Sequence, residues 1–111
     1  MSVHEFGTVE GSAPITFINT FTVHCPGEEF EKVFAEVSAF MARQPGFIQY
    51  TLSRHVDEDK QDRYVNVALW KDVESWEKAV AQPEFVPHAK EIRARSTNVG
   101  HLYRAQQAFP G

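Results

Sequence analysis

The chain has 111 residues and a formal charge of −4, with 42% hydrophobic and 23% charged residues. That composition suits one folded domain, not a disordered segment or a general nucleic-acid binder, whose surface would be basic. One cysteine, Cys25, excludes an intrachain disulfide and a cysteine-rich zinc site, and no apolar run approaches the ~20 residues of a membrane span. With no signal-peptide core at the N-terminus, a cytoplasmic location is expected.

Residues 1–14 carry two glycines and a proline without periodicity, and read as a flexible N-terminal arm ahead of a single domain over 15–108. Ile15 to Val23 is dense in β-branched and aromatic residues and is expected to be a strand, which Cys25-Pro26-Gly27 ends. From Glu28 to Arg43, Phe30, Val33, Phe34, Val37, Phe40 and Met41 recur at steps of three and four, the spacing of one helical stripe. Glu28 and Glu29 open that helix and Arg43 closes it, as its dipole favours.

Gln44-Pro45-Gly46 breaks the helix before a second strand over Phe47 to His55. A charged loop follows, then a third strand from Arg63 to Trp70, so the pair forms a hairpin with a long tip. Asp72 is the expected N-cap of a second helix, which Pro83 interrupts and which resumes from Glu84 to Arg95. A weaker fourth strand is expected over Gly100 to Gln107.

The order β-α-β-β-α-β is an α+β, ferredoxin-like split βαβ arrangement: four antiparallel strands with both helices on one face. Neither alternating set of the first strand is cleanly polar, so the bare sheet face needs a cover. A homodimer with sheets packed together, a dimeric α+β barrel, would supply it.

Strand alternation puts Tyr64, Asn66, Ala68 and Trp70 on one face of the third strand, and Asn19 with Phe17 and Phe21 on one face of the first. These strands are neighbours in this topology, so Asn19 and Asn66 can both point beneath the helices. A carboxamide in an apolar layer costs about 1–3 kcal/mol unless its hydrogen bonds are made. Either each amide satisfies nearby backbone, or the two form the polar corner of a small-molecule pocket. His88 shares a stripe with Phe85 and Ile92, as a hydrogen-bonded core residue or as a proton acceptor. His24 and Cys25 face opposite ways at a strand end, and His4, His55 and His101 have no metal-like spacing. Lys90, Arg93 and Arg95 make a basic stretch that suits the end of a helix, though one arginine could reach an acidic or phenolate-bearing ligand. Trp76 reads as a core anchor of the second helix. No phosphate loop, dinucleotide fingerprint or HExxH occurs, so no nucleotide, flavin or zinc dependence is indicated by motif.

The element order, together with FINTFTVHCPGEEFEKVFAEVSAFMARQPGF and YVNVALWKDVESW, resembles the antibiotic biosynthesis monooxygenase family over roughly residues 15–105. Within it the chain is most similar to the cofactor-independent anthrone oxygenases of aromatic polyketide pathways. Their pattern, an Asn mid-way along the first strand and Asn-x-x-x-Trp in the third, falls on Asn19, Asn66 and Trp70.

The resemblance implies oxidation of an anthrone-type polyketide to its quinone by O2, with no other cofactor. The deprotonated methylene of such a substrate is electron-rich enough to reduce O2 itself. The protein would bind a flat apolar molecule, stabilise an enolate-like oxyanion and exclude water. Asn19, Asn66 and Trp70 would be the catalytic groups, with His88 a proton acceptor or pocket residue. Phe17, Phe21, Phe34, Tyr64 and Phe85 are expected to line the substrate pocket. A related haem-degrading branch uses an Asn on the first strand with a Trp and a His on the second helix. Asn19 and His88 match it, but its Trp falls on Ala79. A non-catalytic ligand-binding relative is the third alternative.

Overall fold

The computed structural model describes residues 13–110; the expected N-terminal arm lies almost wholly outside them. In chain order the elements are β1 (Ile15–Val23), α1 (Gly27–Ala42), β2 (Phe47–Arg54), a short 3-10 turn (Glu58–Lys60), β3 (Arg63–Trp70), α2 (Val73–Val80), α3 (Phe85–Arg93) and β4 (Ser96–Arg104). The strands form one antiparallel sheet in the order β2-β3-β1-β4, the ferredoxin-like arrangement, with the helices against one face.

The helices form where local chemistry favours them. The α1 stripe buries Phe30, Phe34, Val37 and Phe40, while its first turn keeps Glu28 and Glu29. Phe30 is 0% exposed and packs with Phe21, Val23, Tyr64 and Ile92. Truncating such a residue to alanine costs about 3–5 kcal/mol. The Asp72 carboxylate caps α2 by accepting the Ser75 N–H at 2.8 Å. Pro83 falls between α2 and α3, where its missing N–H costs no ladder bond. Gly46 takes φ +90°, and a Cβ there would collide with Ser75, so this turn needs glycine both for conformation and for close packing.

Two strands depart from a simple reading. β4 begins at Ser96, four residues before the expected start, and pairs with β1 along its whole length, from Val23↔Ser96 to Ile15↔Arg104. Asn98 and Gly100 carry little strand propensity; the ladder offered by β1 overrides it. β2 carries an irregularity between Phe47 and Gln49, which brings Phe47 opposite Trp70 and Tyr50 opposite Ala68. Residues three apart thus face the same side, which strict alternation forbids.

The core has two centres on the helix side of the sheet, the second built around Ile15, Ala68, Trp70 and Ala79. No element of the chain covers the opposite sheet face among the described residues. There Val99 is 59% and Tyr103 51% exposed, and Val65, Val67 and Leu69 are half-buried.

Candidate active site

A cleft enclosing a cavity of about 150 Å³ lies between the helix-facing side of the sheet and the three helices. The enclosed part is smaller than a typical small-molecule site, ~300–1,000 Å³, and the cleft opens to solvent at its mouth. β1 contributes Phe17, Asn19 and Phe21; β3 contributes Asn66, Ala68 and Trp70. The floor follows from pairing: Asn19 and Asn66 are direct partners across the β1–β3 ladder, so both amides enter the cleft at the same level. Phe34 from α1 and Phe85 from α3 supply apolar walls.

The polar groups of this lining are few and incompletely satisfied. Asn66 is only 7% exposed, and its buried Oδ1 has no hydrogen-bond partner among the described residues. The Nε1 of Trp76 is likewise buried without a partner among the described residues. Each orphan costs about 1–3 kcal/mol relative to a bonded group, so a bound molecule that supplies the missing partners recovers that energy. Asn19 is held at one end, its Oδ1 accepting from Nδ2 of Asn98 at 2.8 Å. Trp70 is 1% exposed and meets the ring of Phe47 edge-on, with centroids 5.2 Å apart.

Arg93 is the one charged residue lining the cleft among the described residues, and it makes no ion pair there. Arg95, two residues on, is engaged elsewhere: it binds Glu29 at 2.8 Å and Glu91 at 2.9 Å. The carboxylates hold its guanidinium pKa above the ordinary value, the Glu29 hydrogen bond contributing most. No group of three or more metal-ligating side chains occurs among the described residues. Cys25 is half-buried outside the cleft; burial first, then Glu29, pushes its thiol pKa up, away from the thiolate a nucleophile needs.

Asn19, Asn66, Trp70, Phe17, Phe21, Phe34 and Phe85 thus share one cleft. Two expected residues do not line it. Tyr64 sits on the same face of β3 as Asn66 but one step further along. Its ring stacks on Phe30 at 5.0 Å and its hydroxyl donates to Glu31 at 2.6 Å, so it closes the core beyond the cleft. His88 turns towards α1 and stacks on Phe40, with ring centroids 5.5 Å apart. Phe85, Ala89 and Ile92 take the cleft-facing stripe of α3, leaving His88 on its flank. A haem site built on Asn19 and His88 does not fit, since the two side chains do not meet in one cavity. Ala79, at the position of that branch's Trp, is itself buried against Ile15 and Trp70.

Trp76 serves the cleft as well as the core, a double role that helical spacing alone does not reveal. Asn98 escaped because the strand carrying it starts earlier than its propensity indicates. Phe47 and Tyr50 both reach the cleft through the irregularity in β2, for which MARQPGF gives no signal.

Comparison with known proteins agrees with this fold. Residues 14–91 match the family described as antibiotic biosynthesis monooxygenase. The chain is 50% identical over 96 residues to deoxynogalonate monooxygenase of Streptomyces nogalater, covering 86% of this chain and 80% of that protein. It superposes with TM-score 0.84 on SnoaB, a cofactor-independent oxygenase from Streptomyces nogalater, at 48% identity over 89% of this chain and 99% of that one. A Caulobacter crescentus protein shares the fold at 21% identity and TM-score 0.76, over 94% of this chain and 100% of its own.

Proposed function

The chain belongs to the antibiotic biosynthesis monooxygenase family, and from that premise we propose that it oxidises an anthrone-type aromatic polyketide to the quinone with O2 and no further cofactor. The observation that carries this reading is the apolar cleft whose buried polar atoms, Asn66 Oδ1 and Trp76 Nε1, await partners. Flat fused rings suit the aromatic walls; a phenol O–H of the substrate donates to Asn66 Oδ1, and its carbonyl oxygens accept from Asn19 Nδ2 and the indole N–H.

The lining holds no carboxylate, imidazole or amine among the described residues, so the protein brings no obvious base to the reacting carbon. The substrate therefore loses its proton to solvent and occupies the cleft as the enolate. That anion passes electrons to O2; a C–O bond forms at the former methylene, and the resulting peroxide takes up a proton. Loss of water then leaves the carbonyl, so one O2 is consumed per quinone and per water formed. The site residues bind, orient and stabilise. Donors from Asn19 and Trp76 face the developing oxyanion, Asn66 Oδ1 accepts from a neighbouring phenol hydroxyl of the substrate, and Trp70 backs the ring system. Each well-aimed donor contributes about 3–4 kcal/mol to such a transition state. The aromatic walls limit the water that reaches the carbanion.

Arg93 at the rim suits an ionised substituent of the substrate, against an otherwise negative protein. The working unit is the single domain of residues 15–108, in the cytoplasm; among the described residues no helix is long and apolar enough to cross a membrane. The uncovered sheet face, with Val99 and Tyr103 outward, supports a homodimer in which two sheets pack together.

The test is O2 uptake and quinone formation from a neutral anthrone by metal-free protein in a chelator, with Asn66→Ala at equal concentration as control. The intact protein should exceed the control about tenfold or more, with one O2 per quinone. Equal rates in the two would overturn the assignment.

A further inference from the structure

We propose that Asn98 is a positioning residue that fixes which end of the Asn19 amide faces the cleft. Its Nδ2 donates to Asn19 Oδ1 at 2.8 Å. The contact follows from register: on β4, Gly100 lies opposite Asn19 and Asn98 opposite Phe21, so the two asparagines are diagonal neighbours on one sheet face. Gly100 keeps the space open. A Cβ there would stand 2.8 Å from the Phe17 ring and 3.3 Å from Asn19 Oδ1.

A primary amide presents opposite polarity at two ends of nearly equal shape, so apolar walls barely distinguish its orientations. A partner at one end does. With Oδ1 held by Asn98, the hydrogen-bonding group left to Asn19 is Nδ2, a donor. Directly across the ladder, Asn66 presents the opposite polarity, an unpartnered Oδ1. Were Asn19 reversed, β1 and β3 would both present carbonyl oxygens to the cleft, which would lose a donor. The polarity of the site, donor from β1 and acceptor from β3, therefore depends on a residue of β4. For catalysis this rests on the oxygenase reading; for amide orientation it does not.

Asn98→Asp in the full chain is the decisive variant, with Asn98→Ala beside it and thermal melts to establish folding. A carboxylate only accepts, so it draws Asn19 Nδ2 towards itself and turns Oδ1 into the cleft; once protonated it can donate again. With a neutral anthrone near pH 8, kcat of Asn98→Asp should be about tenfold or more below that of the parent, with KM within about twofold. Relative to the parent, this deficit should shrink towards about pH 5 as the carboxyl group takes up protons. Asn98→Ala should lose less, with no relative pH dependence. Independently of turnover, the Asn19 side-chain amide protons of Asn98→Asp should shift downfield near neutral pH and titrate back with the carboxyl group. Parental kcat in Asn98→Asp, a deficit flat with pH, or an Asn19 amide resonance that does not move would each overturn the proposal. If the parent itself fails to accelerate anthrone oxidation while that resonance titrates, the oxygenase reading fails and the assigned orientation stands.

Discussion

The indole of Trp76 lies against the ring of Phe17, centroids 5.3 Å apart and planes tilted by 45°. A residue of α2 is thereby brought to the middle of β1, one alternation step from Asn19. The contact explains how Trp76 can be well packed and still leave its Nε1 without a partner: the ring edge carrying the N–H is buried where none of the described residues provides an acceptor.

Trp76→Phe therefore separates function from stability. It keeps an aromatic ring beside Phe17 and deletes the orphan donor. Turnover of an anthrone should fall about tenfold to a hundredfold if that N–H meets the oxyanion. The melting temperature should hold or rise, because removing an unsatisfied buried donor offsets the lost packing. A parallel drop in both quantities would mean the indole acts only as core.

His88→Ala should leave kcat within about twofold of the parent, since the imidazole stacks on Phe40 outside the cleft. With no titrating base in the lining, the rate should rise with pH along the substrate's own ionisation. Changing to an anthrone of different acidity should move the profile, and His88→Ala should not. A profile that moves with His88 instead would give that residue the proton.

Tyr64→Phe removes the 2.6 Å hydrogen bond to Glu31 and should cost about 1 kcal/mol of stability at neutral pH, with turnover intact. Burial, and next the bond to Glu31, raises the Tyr64 pKa above its ordinary 10.0. A group whose folded pKa lies higher than its unfolded one contributes stability below the unfolded value. That contribution is lost as pH climbs through the folded one. The parent should thus lose stability above about pH 10, and Tyr64→Phe should lack that component. Denaturant melts at neutral and alkaline pH measure both effects.

Arg93→Gln should raise KM about tenfold for an anthrone bearing a carboxylate and leave a neutral anthrone nearly unchanged. Equal effects on the two substrates would make Arg93 a surface charge without a role in recognition.

Sequence patterning reached the parts of this molecule that depend on neighbours close in the chain. The α1 stripe, the Asp72 cap, the Pro83 break and the alternation that aligns Asn66 with Trp70 are all local, and each is present. What escaped depends on partners far away. β4 extends to Ser96 because β1 offers it a ladder, and that extension carries Asn98. Phe47 and Tyr50 share a side only through the irregularity between Phe47 and Gln49. Tyr64 has the right parity for the cleft but lies too far along β3, since alternation fixes the face of a residue and not its depth. His88 has helical spacing close enough to Phe85 to look equivalent, yet the packing of α1 decides which flank it takes.

Much of the cleft wall is also the core. Phe21, Phe34, Val37 and Ile92 belong to one packed centre, Ala68 and Trp70 to the other, and all six face the substrate space. A lineage drifting towards a new ring system cannot freely resize those positions, because each change that reshapes the cavity also loosens the fold. The accessible route to altered selectivity runs through lining residues outside the two packed centres, such as Ser38, Tyr50, Ala89 and Arg93. Laboratory evolution on this scaffold should accumulate its early specificity changes there. Aromatic core positions should change only after stabilising substitutions elsewhere have raised the margin.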